Sequence, residues 1–307
     1  MFKHLLVPLD GSRLAESALP AAAYLAQTLG ASVTLVHVIE RDAPKEVHSE
    51  RHLSQPEEAC QYLGEIAARA FPASLAVETH VHTSEVKDVA RSIVEHTGEL
   101  QPDLIVMCSH GSGGLRDRLF GNIAQQIIAA VRNPPQSLTP VLLIRPGKKA
   151  PAQPFKLEKI LLPLDGKPEH EQGLPMAVDL AQACKAVLHL AMVVPTFGAL
   201  RGEHAASSRL LPGATAAMLE LAETGGQAYL QNLLPGLEAR GLAVTGEVAR
   251  GDPASTVAQI AERIGAGLIV LGTHGKAGTD AFWSGSFAPR IASKTLIPLL
   301  LVPVRES

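Results

Sequence analysis

The sequence predicts two copies of one α/β domain, each a doubly wound parallel sheet of Rossmann-like type. Three observations carry that prediction. Six blocks of the first half recur in the same order in the second half. The blocks read as strands are continuously apolar rather than alternating, as in a parallel sheet covered on both faces. Ala-rich, helix-like stretches separate them, which is the βαβ pattern.

The first block is Lys3-His4-Leu5-Leu6-Val7-Pro8-Leu9-Asp10-Gly11, matched by Glu158 to Gly166. Each is a short apolar run ended by Pro-Leu-Asp-Gly, a buried strand leaving the sheet into a turn. Ala21 to Leu29 sits over Met176 to Cys184 as a helix, and Val33 to Ile39 over Leu188 to Val194 as a second strand. Asp103 to Met107 matches Gly267 to Leu271, and the loops that follow share Ser109-His110-Gly111 and Thr273-His274-Gly275. The last strands are Pro140 to Ile144 and Pro298 to Val302. Gly147 to Phe155, rich in Lys, Pro and Ala, reads as the linker between domains 1–147 and 156–307. Two segments, Arg41 to Pro56 and Thr196 to Thr215, are long for αβ connections and take no assignment.

Composition narrows the function. The chain has 307 residues, 46% hydrophobic and 19% charged, with a formal net charge of -3. Neither half is basic, so a nucleic-acid partner is not expected. No apolar stretch is long enough to span a bilayer. The N-terminus carries no long apolar run of the secretory kind, so a cytoplasmic location is expected. Three widely spaced cysteines, Cys60, Cys108 and Cys184, form neither a disulfide framework nor a metal clip.

In doubly wound sheets, ligands bind outside the carboxyl ends of the strands where strand order switches. The Asp-Gly after the first strand and the His-Gly after the fourth converge there, one crevice per half. In the second half Gly272-Thr273-His274-Gly275 is followed, nine residues on, by Gly285-Ser286 and a probable helix from Phe287 to Lys294. Glycines let backbone N–H groups approach a ligand, and a helix N-terminus adds further donors, so the pattern suits phosphate oxygens. Lys276 adds a cation to the loop. The plainer reading is that these glycines only permit tight turns. No Gly-x4-Gly-Lys-Ser/Thr loop and no Gly-x-Gly-x-x-Gly after a first strand are present.

With the Pro-x-Asp-Gly start, the Gly-x2-Gly-x9-Gly-Ser signature resembles the universal stress protein family, twice over. The resemblance implies a tandem member with a sheet like that of the adenine nucleotide alpha hydrolases. It implies binding of ATP or another adenine nucleotide (AMP or ADP), with Mg²⁺ on the phosphates. In the second half Pro163, Leu164 and Asp165 would border the nucleoside, and Val193 would offer its backbone to adenine. Gly272, His274, Gly275 and Lys276 would wrap ribose and phosphates, and Gly285, Ser286 and Phe287 would close on the phosphates. Lys167 departs from the small polar residue expected after Asp-Gly.

The first half departs further. Cys108 replaces the first glycine and Asn122 the usual Ser/Thr, while Asp10, Val38, Gly111 and Gly121 keep their places. This half reads as a weakened or empty site, or as scaffold alone. The resemblance also implies that the last strands pair, here as a pseudo-dimer within the chain, with a homodimer of chains as a further step. The function expected is nucleotide-dependent regulation or partner binding in stress response. Its alternatives are slow ATP hydrolysis, with Asp165 on Mg²⁺ and His274 near the phosphates, and a nucleotide-free interaction scaffold.

Other constellations are weaker. His48 and His52 are spaced as metal ligands on a helix face, but twelve histidines make such a pair by accident. His80 and His82 alternate as the exposed face of a strand. Cys108 and His110 lack a third group to make a catalytic thiolate, and Asp252-Pro253 reads as a helix start.

Overall fold

In a computed structural model of the protein, the residues described are 1–42, 46–47, 50–51, 53–109, 122–130, 139–145, 155–166, 171–200, 202–273 and 287–303. Contacts divide the chain into two units: residues 1–156, 273–286 and 298–307, and residues 157–272 and 287–297.

The first unit opens with β1 (His4–Pro8), α1 (Arg13–Glu16), α2 (Leu19–Leu29) and β2 (Ser32–Glu40). Two short strands, β3 (Glu46–Val47) and β4 (Glu50–Arg51), pair antiparallel. Then come α3 (Pro56–Ala70), β5 (Val77–Val86), α4 (Val89–Leu100), β6 (Leu104–Cys108), α5 (Asn122–Ala130) and β7 (Val141–Ile144). The chain's last strand, β12 (Leu299–Pro303), also belongs here. The strand order is β12-β7-β6-β1-β2-β5. All neighbours run parallel except β12, which pairs antiparallel with β7 through Leu299–Leu143, Leu300–Leu142 and Leu301–Val141. So the final strands of the two repeats do pair within one chain.

The second unit holds β8 (Lys159–Leu164), α6 (Gly173–Cys184), β9 (Val187–Val194), α7 (Gly202–Leu210), α8 (Pro212–Glu238), β10 (Val244–Arg250), α9 (Pro253–Ile264), β11 (Leu268–Thr273) and α10 (Phe287–Ala292). Its four strands run parallel in the order β10-β9-β8-β11. In both units the strand that begins the repeat lies between the second and the fourth strands that its repeat gives to the main sheet, β2 and β6 in one and β9 and β11 in the other. The order therefore switches between β1 and β6, and between β8 and β11, as a doubly wound sheet requires.

The apolar runs are the core. Leu5, Leu6, Leu104, Ile105, Ile160, Leu161 and Ile269 are each 0% exposed. Chain punctuation also repeats. Asp88 and Asp252 each cap a helix by accepting from the backbone N–H three residues on. Their helices α4 and α9 end on Gln101 and Gly265 in the left-handed region, at φ 50° and 66°. The stretch after β9 forms a 3₁₀ turn (Phe197–Ala199), α7 and the start of the 27-residue α8. Of the expected linker only Phe155 lies among the described residues, edge-on to Tyr24 at 5.6 Å.

Candidate functional site

The site in the second unit is built by strand ends. β8 pairs with β9 through Pro163–Ala191 and Leu164–Met192, which brings Asp165 out at the carboxyl edge. Gly166 follows at φ 76°, and a Cβ there would stand 3.2 Å from the Met192 methyl. On the other side of β8, β11 runs parallel and carries Gly272 as its penultimate residue, toward the same edge. Gly173, at the start of α6, has room for a Cβ only 3.7 Å from the Gly272 backbone nitrogen. Val193 is the penultimate residue of β9, and Phe287 opens α10. So Pro163, Leu164, Asp165, Val193, Gly272 and Phe287 all sit on strand ends or a helix start of this one unit. His274, Gly275, Lys276, Gly285 and Ser286 lie outside the described residues.

Past the ends of β9 and β10 is a cavity of about 540 Å³, lined among others by Thr196, Gly198, Asp252, Ser255, Arg290 and Lys294; Pro163, Leu164, Asp165, Val193, Gly272 and Phe287 do not line it. Arg290 donates to Asp252 at 2.6 Å. Ser255 donates its backbone N–H and its hydroxyl to the other Asp252 oxygen, at 3.1 and 2.8 Å. Burial works against the Asp252 charge, but these donors and the Arg290 guanidinium outweigh it and hold the carboxyl below its ordinary value. The helix-start reading of Asp252-Pro253 is correct, and the ion pair to α10 adds to it.

The first unit repeats the frame with different contents. Asp10 accepts from the Ser12 backbone at 2.9 Å and from its hydroxyl at 2.6 Å. Gly11 has φ 88°, and a Cβ there would lie 2.8 Å from Leu53 Cδ1. His37, only 2% exposed, reaches Leu9 O with Nδ1 at 2.8 Å and Leu53 O with Nε2 at 3.1 Å. Leu53 thus packs on the Asp10–Gly11 turn, between the ends of β1 and β2. Val38 is buried in β2 and Cys108 is buried at the end of β6. Asn122 is the first residue of α5. Gly111, Gly121, His110, His48 and His52 lie outside the described residues. Among the described residues no group of three or more His, Cys, Asp or Glu is arranged to hold a metal ion. No described helix is long and apolar enough to cross a membrane.

The model of the Universal stress protein family matches residues 1–134 and again residues 156–303. The chain belongs to the universal stress protein family. A universal stress protein of Mycolicibacterium smegmatis is 26% identical over 310 residues, covering 98% of this chain and 97% of the relative. One from Methanocaldococcus jannaschii is 29% identical over 147 residues, covering 47% of this chain and 81% of the relative. A crystal structure of a universal stress protein from Archaeoglobus fulgidus superposes with TM-score 0.66 at 16% identity, covering 99% of this chain and 97% of that one. At that identity the likeness concerns the fold, which is this family's Rossmann-like sheet, present here twice.

This tandem universal stress protein carries one paired feature that sequence reasoning missed. Tyr62 of α3 donates to Glu16 at 3.3 Å, and Tyr229 of α8 donates to Glu171 at 2.5 Å. Burial and the adjoining glutamate push both phenols well above the ordinary tyrosine range. Glu16 and Glu171 each stand six residues after the crevice aspartate, which was a visible signal. The tyrosines were hidden because the segments leading to α3 and α8 differ in length. One reading needs correction: His80 and His82 are not an exposed face but half-buried, in ring contact with His96.

Proposed function

We propose that the protein binds ATP or another adenine nucleotide at the carboxyl edge of its second unit, and acts in stress response by nucleotide-dependent regulation or partner binding. What supports this reading is that Asp165 directly follows β8 and Gly272 lies near the end of β11, the two strands that flank the switch in strand order. Binding crevices of doubly wound sheets open at that position. The family signature Gly272-x2-Gly275-x9-Gly285-Ser286 is complete in this half. In it, backbone N–H groups and the start of α10 are the natural donors to phosphate. Mg²⁺ would neutralise phosphate charge, with Asp165 as the carboxylate proposed to hold it. Val193 would present its backbone to the adenine edge, with Pro163 and Leu164 against the nucleoside.

The first unit holds no nucleotide of its own on this reading. Cys108 puts a side chain where the second unit has Gly272, and Leu53 packs against Gly11. The two domains, 1–147 and 156–307, share a frame and divide the work. The cytoplasm is the location proposed, since Cys60, Cys108 and Cys184 form no disulfide. Homodimers of the chain are proposed as its assembled form.

Mass spectrometry of small molecules released on denaturing the purified protein tests the reading, with a thermal shift on adding ATP. An adenine nucleotide at about one per chain is expected. Neither a released nucleotide nor a shift with ATP, ADP or AMP would leave only a scaffold.

A further inference from the structure

β5 is an edge strand, hydrogen-bonded to β2 alone among the described strands. Two of its side chains, His80 and His82, meet His96 of α4. The ring centres of His80 and His96 are 4.6 Å apart with planes at 76°, and those of His82 and His96 are 5.0 Å apart at 61°. His96 is 4% exposed. Its Nδ1 lies 2.8 Å from Glu99 Oε2, and a carboxylate can only accept, so this nitrogen carries a proton. The other nitrogen, Nε2, is buried and has no partner, and the same is true of His80 Nε2.

That arrangement suits neutral rings and does not suit charged ones. A second proton on His96 or His80 would create a buried N–H with no acceptor, which is costly. It would also set like charges against each other across ring contacts of 4.6 and 5.0 Å. The charged groups acting on His80 are His96, Glu99 and His82. Glu99 is the one anion among them, its side chain is 66% exposed, and it balances at most one of three positive charges. Arg91 and Glu95 of α4 are paired with each other at 2.9 Å. From β2 the residues opposite His80 and His82 are Val36 and Val38, which carry no charge. α3 also packs on β5, and none of its ionisable groups is among those acting on His80.

We propose that His80, packed with His82 against His96, is an acid-operated release between edge strand β5 and α4, closed while its ring is neutral and pushed apart when it is charged. Burial first, and His96 second, already hold His80 toward its neutral form. A histidine whose folded pKa lies below its unfolded value binds fewer protons when folded. The packing it supports is therefore intact above the ordinary histidine range and lost as pH falls through it, near 6.5 and below. Release would free the face of β5 that His80 and His82 share with α4. This device lies outside the nucleotide crevice and does not depend on it.

Hydrogen–deuterium exchange of the full chain at about pH 7.5 and 5.5, corrected for intrinsic rates, reads the release directly. Protection of residues 77–100 is expected to fall severalfold at the lower pH, while α2 and β1 keep theirs. His80→Gln, neutral at both pH values, should remove most of that pH dependence, and His80→Asn serves if the first variant does not fold. A merely structural role would lower protection equally at both pH values, and that result overturns the proposal. So does a wild type with unchanged protection at pH 5.5, or variants that respond as the wild type does.

Discussion

Arg290 of α10 donates to Asp252, the cap of α9, at 2.6 Å. One carboxylate therefore closes the helix start and ties down the helix that follows the glycine signature. Because Asp252 is held below its ordinary value, its folded pKa is depressed. Its stabilisation is present above the unfolded value of about 3.9 and is lost as pH falls through the folded one. Asp252→Asn should flatten the acid limb of thermal stability between about pH 5 and 3. Asp252→Ala should cost about 1 kcal/mol at neutral pH from the lost cap, and Arg290→Ala less, the pair being partly exposed. Melting curves across pH check all three. An unchanged acid limb in Asp252→Asn would remove the charge from the account.

Gly11 and Gly166 stand at equivalent turns with different neighbours. Both have positive φ, 88° and 76°, so any side chain is strained there. At Gly11 a Cβ would also press on Leu53 at 2.8 Å, whose carbonyl His37 holds. At Gly166 it would meet only the terminal methyl of Met192 at 3.2 Å. Gly11→Ala is expected to destabilise by about 2–3 kcal/mol and Gly166→Ala by about 1–2 kcal/mol. Urea denaturation distinguishes them, and equal losses would mean that Leu53 yields freely.

The Tyr229–Glu171 bond at 2.5 Å is shorter than the Tyr62–Glu16 bond at 3.3 Å, and Glu16 also takes Arg69 at 2.7 Å. Tyr229→Phe leaves Glu171 without its phenol donor and should cost about 1.5–3 kcal/mol, the range for hydrogen bonds to charged groups. Tyr62→Phe should cost about 0.5–1.5 kcal/mol, because Arg69 remains. Chemical denaturation of both variants reads the difference, and the reverse order would refute the assignment.

Gly275→Val tests the nucleotide reading. A branched side chain in the signature loop should weaken ATP binding by at least about tenfold, roughly 1.4 kcal/mol, as measured by calorimetry. Gly111→Val, at the matching place in the first half, should leave ATP binding unchanged. Equal loss in both variants would mean that the halves share the work.

The duplication, the strand and helix sequence and the parallel sheet class were legible in the residues. Continuous apolar runs, Pro-x-Asp-Gly exits and Asp caps encode local structure, and they encode it twice. The positions of Asp165 and Gly272 at strand ends and of Phe287 at a helix start were likewise legible, because strand ends and glycine spacing are local properties. What lay beyond reach were contacts between segments distant along the chain. Leu53 on Gly11, Tyr229 on Glu171 and Arg290 on Asp252 depend on how far connecting segments travel before they return. The same limit hid the histidines: alternation in β5 predicts only that His80 and His82 share a face. Which element covers that face, and that it brings His96, was decided by the packing of α4 on the sheet, since burial is a property of the assembled layers.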